Sequence, residues 1–231
     1  MIKLFIYFLL FCCLLLTENS SGQNLHRDTN VLYRRGDQTV FIDYSPNSKY
    51  FGPISDFKFG DYDKESHEYS LTYLKDNGLK LTRKPITGLP KRWILLKNYK
   101  NNFYTYYPSD FYFHYKVSIA DTAFIDYTGE GPMVNKILGF NKINDNTFSF
   151  LLSGVEWPKR QLTIHIINKS NGIAIFEMVK DNSKDFFLMI DASKVKRLPI
   201  IVNLSLNNKA FEFDFEEPDF QRLLNGSIKL R

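Results

Sequence analysis

Short runs in which apolar and polar residues alternate, each closed by a cluster of Asn, Asp, Gly, Ser or Pro, make up most of this chain. Alternation at period two puts successive side chains on opposite faces of an extended strand. The pattern predicts strands over 39–44, 67–74, 79–82, 93–96, 103–107, 111–119, 123–127, 137–140, 147–152, 161–167, 173–179, 186–191, 199–206 and 211–215. Between them stand Asp76-Asn77-Gly78, Asn144-Asp145-Asn146, Asn168-Lys169-Ser170-Asn171-Gly172, Lys180-Asp181-Asn182-Ser183 and Asn207-Asn208. Such residues tolerate left-handed backbone and close hairpins, so neighbouring strands are expected to pair antiparallel, as a meander.

The faces of these strands differ along the chain. In 111–119, Phe111, Phe113, Tyr115, Val117 and Ile119 point one way, and Tyr112, His114, Lys116 and Ser118 the other. Runs 173–179 and 186–190 are apolar on both faces, which implies layers packed on either side of them. The fold class that follows is all-β: an antiparallel meander that hides its edges by closing as an up-and-down, lipocalin-like barrel or by folding into a two-sheet sandwich. Helical signal is confined to 217–224, where acids and Pro218 open a turn and Asn225-Gly226 can end it, so one short C-terminal helix is expected.

The first residues read differently. A positive start, Met1-Ile2-Lys3, precedes an unbroken apolar run over 4–16, and the polar, small-residue stretch Thr17-Glu18-Asn19-Ser20-Ser21-Gly22 follows. Residues 1–22 are therefore expected to be a signal peptide cleaved before Gln23, leaving a secreted or periplasmic protein with no stable membrane insertion. The chain has two cysteines, Cys12 and Cys13, and both leave with the leader. The mature chain would then hold neither disulfide nor thiol nucleophile and must be held by its core, for which 23–231 is long enough as a single β-rich domain. The formal charge of +5 is scattered in doublets such as Arg34-Arg35, Arg83-Lys84 and Lys91-Arg92 among acids, not gathered into a stripe, so no nucleic-acid partner is expected.

Two segments carry candidate chemistry. The first is the ring-rich stretch 103–115, expected to form a hairpin, with Phe103, Tyr104, Tyr106, Tyr107, Tyr112 and Tyr115 as candidate ligand-binding residues. Alternation sends these rings to both faces, and rings with a hydroxyl suit an amphipathic ligand in a barrel mouth or a glycan stacked on a sheet. The leading expectation is a secreted, non-enzymatic β-protein that binds an apolar or amphipathic small ligand in the manner of lipocalin-like domains. That analogy is of architecture alone, since the Gly-x-Trp motif of a lipocalin's first strand is missing. A carbohydrate-binding or surface-interaction module is the alternative.

The second segment is Glu212-Phe213-Asp214-Phe215-Glu216. On an extended strand its three carboxylates point the same way, with neighbours about 7 Å apart, a spacing that can hold a nucleophile and an acid/base. Over these five residues the chain resembles the Glu-x-Asp-x-Glu motif of laminarinase-like β-jelly-roll glycoside hydrolases. That resemblance implies a β-glucan hydrolase with Glu212 as nucleophile and Glu216 as acid/base. Several strands follow the motif in that family, whereas only a short tail follows Glu216 here.

Metal and cofactor signals are weak. Asp61 and Asp63 have the spacing of a calcium loop's first ligands, but Ser66 and Thr72 stand where an EF-hand needs Gly and Glu. His26, His67, His114 and His165 fall at no metal-ligand spacing and are expected to be surface imidazoles. No cofactor is implied, for there is neither a Gly-x-Ser-x-Gly elbow nor a phosphate-cradling loop. Asn-x-Ser sequons occur at Asn168, Asn203 and Asn225.

Overall fold

The computed structural model describes residues 28–205 and 210–226. The expected leader, His26 and the Asn207-Asn208 turn lie outside the described residues. Eight strands close into an antiparallel barrel: β3 (Arg92–Leu95), β6 (Lys116–Ile119), β7 (Ala123–Thr128), β8 (Gly131–Lys142), β9 (Thr147–Ser153), β10 (Arg160–Asn168), β11 (Ile173–Lys180) and β12 (Ser183–Asp191). From β6 to β12 each strand pairs with the next, the expected meander. Strand β3 closes the ring between β12 and β6, with Ile94 opposite both Ile190 and Lys116.

After β3 the chain leaves the barrel to build a second sheet and then returns. That sheet runs β1 (Thr29–Arg35), β2 (Gln38–Asp43), β13 (Ile200–Leu204), β5 (Asn102–Tyr107), β4 (Lys97–Tyr99). All its pairings are antiparallel except β13 with β5, which run parallel with Ile200 opposite Thr105. Barrel and layered sheets thus coexist.

Packing follows the face pattern of the strands. Trp93, Phe124, Phe148, Phe150 and Phe176 join one buried cluster that fills the barrel interior, as an eight-stranded barrel is just wide enough to be filled by side chains. The outward side chains of β11 and β12, among them Ile175 and Leu188, pack with Phe41 and Val202 of the second sheet. This is why those two strands are apolar on both faces. On its far side the second sheet buries Val40, Ile42, Tyr104, Tyr106 and Ile201, covered by Phe213 and Phe215 of the C-terminal segment.

Several expectations are corrected. Residues 67–74 are not a strand but lie in a 16-residue helix, Asp61–Asp76. A short helix, Phe51–Ile54, precedes it and Phe220–Leu224 forms the expected C-terminal turn; in chain order these are α1, α2 and α3. Leu79 and Leu81, expected in a strand, run irregularly against the Leu74 cluster. The strand expected over 111–119 is broken into a 3-10 turn, Phe111–Phe113, followed by β6. The ring-rich hairpin therefore does not form, because β5 belongs to the second sheet and β6 to the barrel. Residues 211–215 join no ladder; the C-terminal segment makes an isolated bridge between Glu216 and Asn98.

Candidate functional site

The polypeptide between α1 and α2, the 3-10 turn and the β7–β8 hairpin converge on a pocket of about 440 Å³ outside the barrel. Three large rings stand at this pocket and stay substantially in solvent: Tyr62 at 59% exposure, Phe111 at 40% and Tyr112 at 56%. Neighbouring Phe113 and, about two helical turns along α2 from Tyr62, Tyr69 are also exposed. Exposed apolar surface gathered in one place marks an interaction site more often than scattered rings do.

Local structure holds these rings still. Asp110 caps the 3-10 turn by accepting a hydrogen bond from the Tyr112 amide at 2.9 Å. The Tyr112 ring then lies directly against Gly129, where a Cβ would come within 2.2 Å of it. Gly129 is needed for that close approach, since any side chain would push the ring away. Phe111 is braced edge-on by Tyr107 and His114. At the start of α2, Asp63 accepts from the Gly60 amide at 2.9 Å, which fixes the helical turn carrying Tyr62.

The lining sets Lys58 and Lys116 beside Asp63 and Asp110, and its floor is partly dry. The Lys116 ammonium lies 5.0 Å from the Phe57 ring centroid and 5.3 Å from that of Tyr127, and donates to the Asp56 carbonyl. Burial holds its pKa below the ordinary lysine value, with Asp56 and Asp63 opposing that shift. His114 is buried, correcting the expected surface imidazole; its Nε2 lies 2.9 Å from the Ile54 carbonyl. Burial pushes its pKa down to about 4, and the nearby Lys116 and Lys97 charges add to the effect. At neutral pH the ring is therefore uncharged and donates from Nε2 to that carbonyl. Such a pocket can stack the apolar face of a ligand on its rim while Lys58 and Lys116 meet a polar end.

The other sequence-marked residues are dispersed. Tyr104 and Tyr106 are buried on one face of β5, while Phe103 and Tyr107 pack half-buried on the opposite face, against the barrel. The Tyr115 hydroxyl turns to the polar end of the barrel and donates to Asp126 at 2.6 Å. Glu212 accepts hydrogen bonds from the Tyr106 hydroxyl and from Ser109 Oγ, the latter at 2.9 Å. Burial raises the Tyr106 pKa, and its bond to Glu212 raises it further. Asp214 is exposed, and Glu216 joins Phe103 and Tyr104 along a wide groove at the edge of the second sheet. The three carboxylates thus have separate surroundings and do not share one strand face.

Of the sequence-marked rings, Tyr112 alone lines the aromatic pocket. Tyr62, Phe111, Tyr127, Lys58 and Lys116 were not marked. The i, i+7 spacing of Tyr62 and Tyr69 would have placed both on one exposed face had 61–76 been read as helical. Among the described residues, no group of three or more His, Cys, Asp or Glu is placed to hold a metal. Comparison with known proteins returns no matching family model, curated protein or solved structure.

Proposed function

We propose that the chain is an exported, non-enzymatic binding protein that takes an amphipathic small ligand at the aromatic pocket outside its barrel. The observation that carries this reading is the exposure of Tyr62, Phe111 and Tyr112 around one pocket, with Tyr112 clamped against Gly129. Held rings lose little entropy on binding, so their contact area converts efficiently into affinity. Binding outside the barrel is favoured because Trp93, Phe124 and three further Phe rings already occupy the interior. Binding is favoured over hydrolysis because Glu212, the nucleophile implied by the motif, is engaged by Tyr106 and Ser109. Export rests on the 1–22 leader pattern.

The test is a fluorescence titration of the mature chain with 1-anilinonaphthalene-8-sulfonate, followed by displacement with lysophosphatidylcholine. Saturable binding is expected in the parent. Phe111→Ala and Tyr112→Ala should each weaken it about tenfold, the order of one lost ring contact. Absence of saturable binding, or variants that bind as tightly as the parent, would refute the proposal.

A further inference from the structure

The edge of the second sheet carries a second, chemically different concavity of about 980 Å³, at the large end of the small-ligand range. The β4–β5 turn forms one wall. There Lys100 and Asn101 take left-handed backbone, with φ of 49° and 59°, which lets strands of opposite direction join through two residues. The C-terminal segment forms another wall, anchored where the Glu216 amide donates to the Asn98 carbonyl at 3.2 Å. Asn171 and the segment from Arg197 to Pro199 complete it.

Three features of this groove point to one ligand chemistry. Asn98 is only 6% exposed, yet its carboxamide has no hydrogen-bond partner among the described residues, and it lines the groove. Its amide meets the groove's water instead, and a ligand that supplies both an acceptor and a donor can take that water's place. Charge is the second feature. Lys100, Arg197 and Arg222 face Glu216, Glu217 and Asp219, so the lining sums to zero and favours neither an anion nor a cation. The third is ring surface: Tyr44, 51% exposed, stands at the same groove. Planar amides and carboxylates matched to vicinal hydroxyls, beside a ring that can receive C–H groups, suit a neutral polyhydroxyl compound.

We infer that this groove is a binding site for a neutral oligosaccharide, separate from the aromatic pocket. Neither site depends on the other. The experiment is a glycan array carrying neutral and sialylated oligosaccharides, probed with the mature chain and followed by calorimetry on the neutral oligosaccharide giving the strongest signal. Neutral glycans are expected to bind. Asn98→Leu, close in size but without the amide, and Tyr44→Ala should each lower affinity tenfold or more. Tyr44 is half in solvent, so its truncation keeps the test open if Asn98→Leu does not fold. Binding of acidic glycans alone, binding of none, or Tyr44→Ala retaining the parent affinity would overturn the inference.

Discussion

Arg160 lies inside the barrel with 3% of its side chain exposed, paired with Asp126 at 5%. Asp126 also accepts from the Tyr115 hydroxyl and from Asn135 Nδ2 at 2.9 Å, so both its oxygens are occupied. The guanidinium is less well served: Nη1 faces the Met178 sulfur at 3.4 Å, and Nε has no partner among the described residues. Desolvating two charges costs several kcal/mol, and a buried pair is most costly when one member is removed. Arg160→Met should therefore destabilise the fold by about 3–5 kcal/mol in urea unfolding, because it strands the Asp126 charge. Adding Asp126→Asn should recover a large part of that loss; no recovery would show that packing around Arg160, and not charge, sets the cost. A polar residue turned inward at Asp126 was not legible locally, since period two assigns it a face but not which face is buried.

Helix α2 covers the stretch of β8 that runs past its pairing with β9. That pairing begins at Lys136, and Ser70 Oγ accepts from the Val134 amide at 3.0 Å while donating to the His67 carbonyl at 2.7 Å. Ser70 is fully buried, so Ser70→Ala leaves a strand amide without its acceptor. A loss of about 1–3 kcal/mol is expected, with faster hydrogen exchange at the Val134 amide as the local readout. Unchanged exchange there would rule out this role for Ser70. The helix was present in the sequence in another form. Buried and half-buried His67, Ser70, Leu71 and Leu74 follow the three- and four-residue spacing of a helix. Asp76-Asn77-Gly78, read as a hairpin turn, instead ends the helix: Gly78 has φ of 67°, and the Leu79 amide returns to the Leu74 carbonyl at 2.7 Å. Leu79 packs against the Leu74 cluster, which completes a Schellman stop. Tyr and Thr at 69–73 favour strands by propensity, and packing on Ala123 and Val134 overrides it.

At the scale of the molecule, barrel, second sheet and helices are held by one shared layer of apolar side chains, and His114 bonds across it to the Ile54 carbonyl of α1. Its pKa is about 4 in the folded chain against 6.5 ordinarily. A depressed value means that the unfolded chain takes up the proton first. Stability is then complete above about pH 6.5, falls as pH drops toward 4, and is lower by about 3 kcal/mol below that. Denaturant unfolding at several pH values between 7 and 4 should show this slope, and His114→Gln should flatten it. An equal slope in both proteins would place the acid sensitivity elsewhere. The same scale bears on the sequons: Asn203 is fully buried, bonded to Gln38 and Tyr106, so a folded chain cannot present it for glycosylation.

The sequence by itself determined the all-β class, most strand positions, the two-sided burial of β11 and β12 and the short C-terminal helix. Each is written in residues a few positions apart, where period two, turn formers and helix stops act. Tertiary structure alone decided that β3 closes the barrel beside β12, that β13 runs parallel to β5, and that 103–115 crosses from one layer to the other. It also decided which rings stay in water: Tyr104 and Tyr106 are covered by Phe213 and Phe215, whereas Tyr62 and Tyr112 are left at a pocket. Such pairings join residues far apart in the chain, and their free energy depends on shapes that exist only after the layers meet.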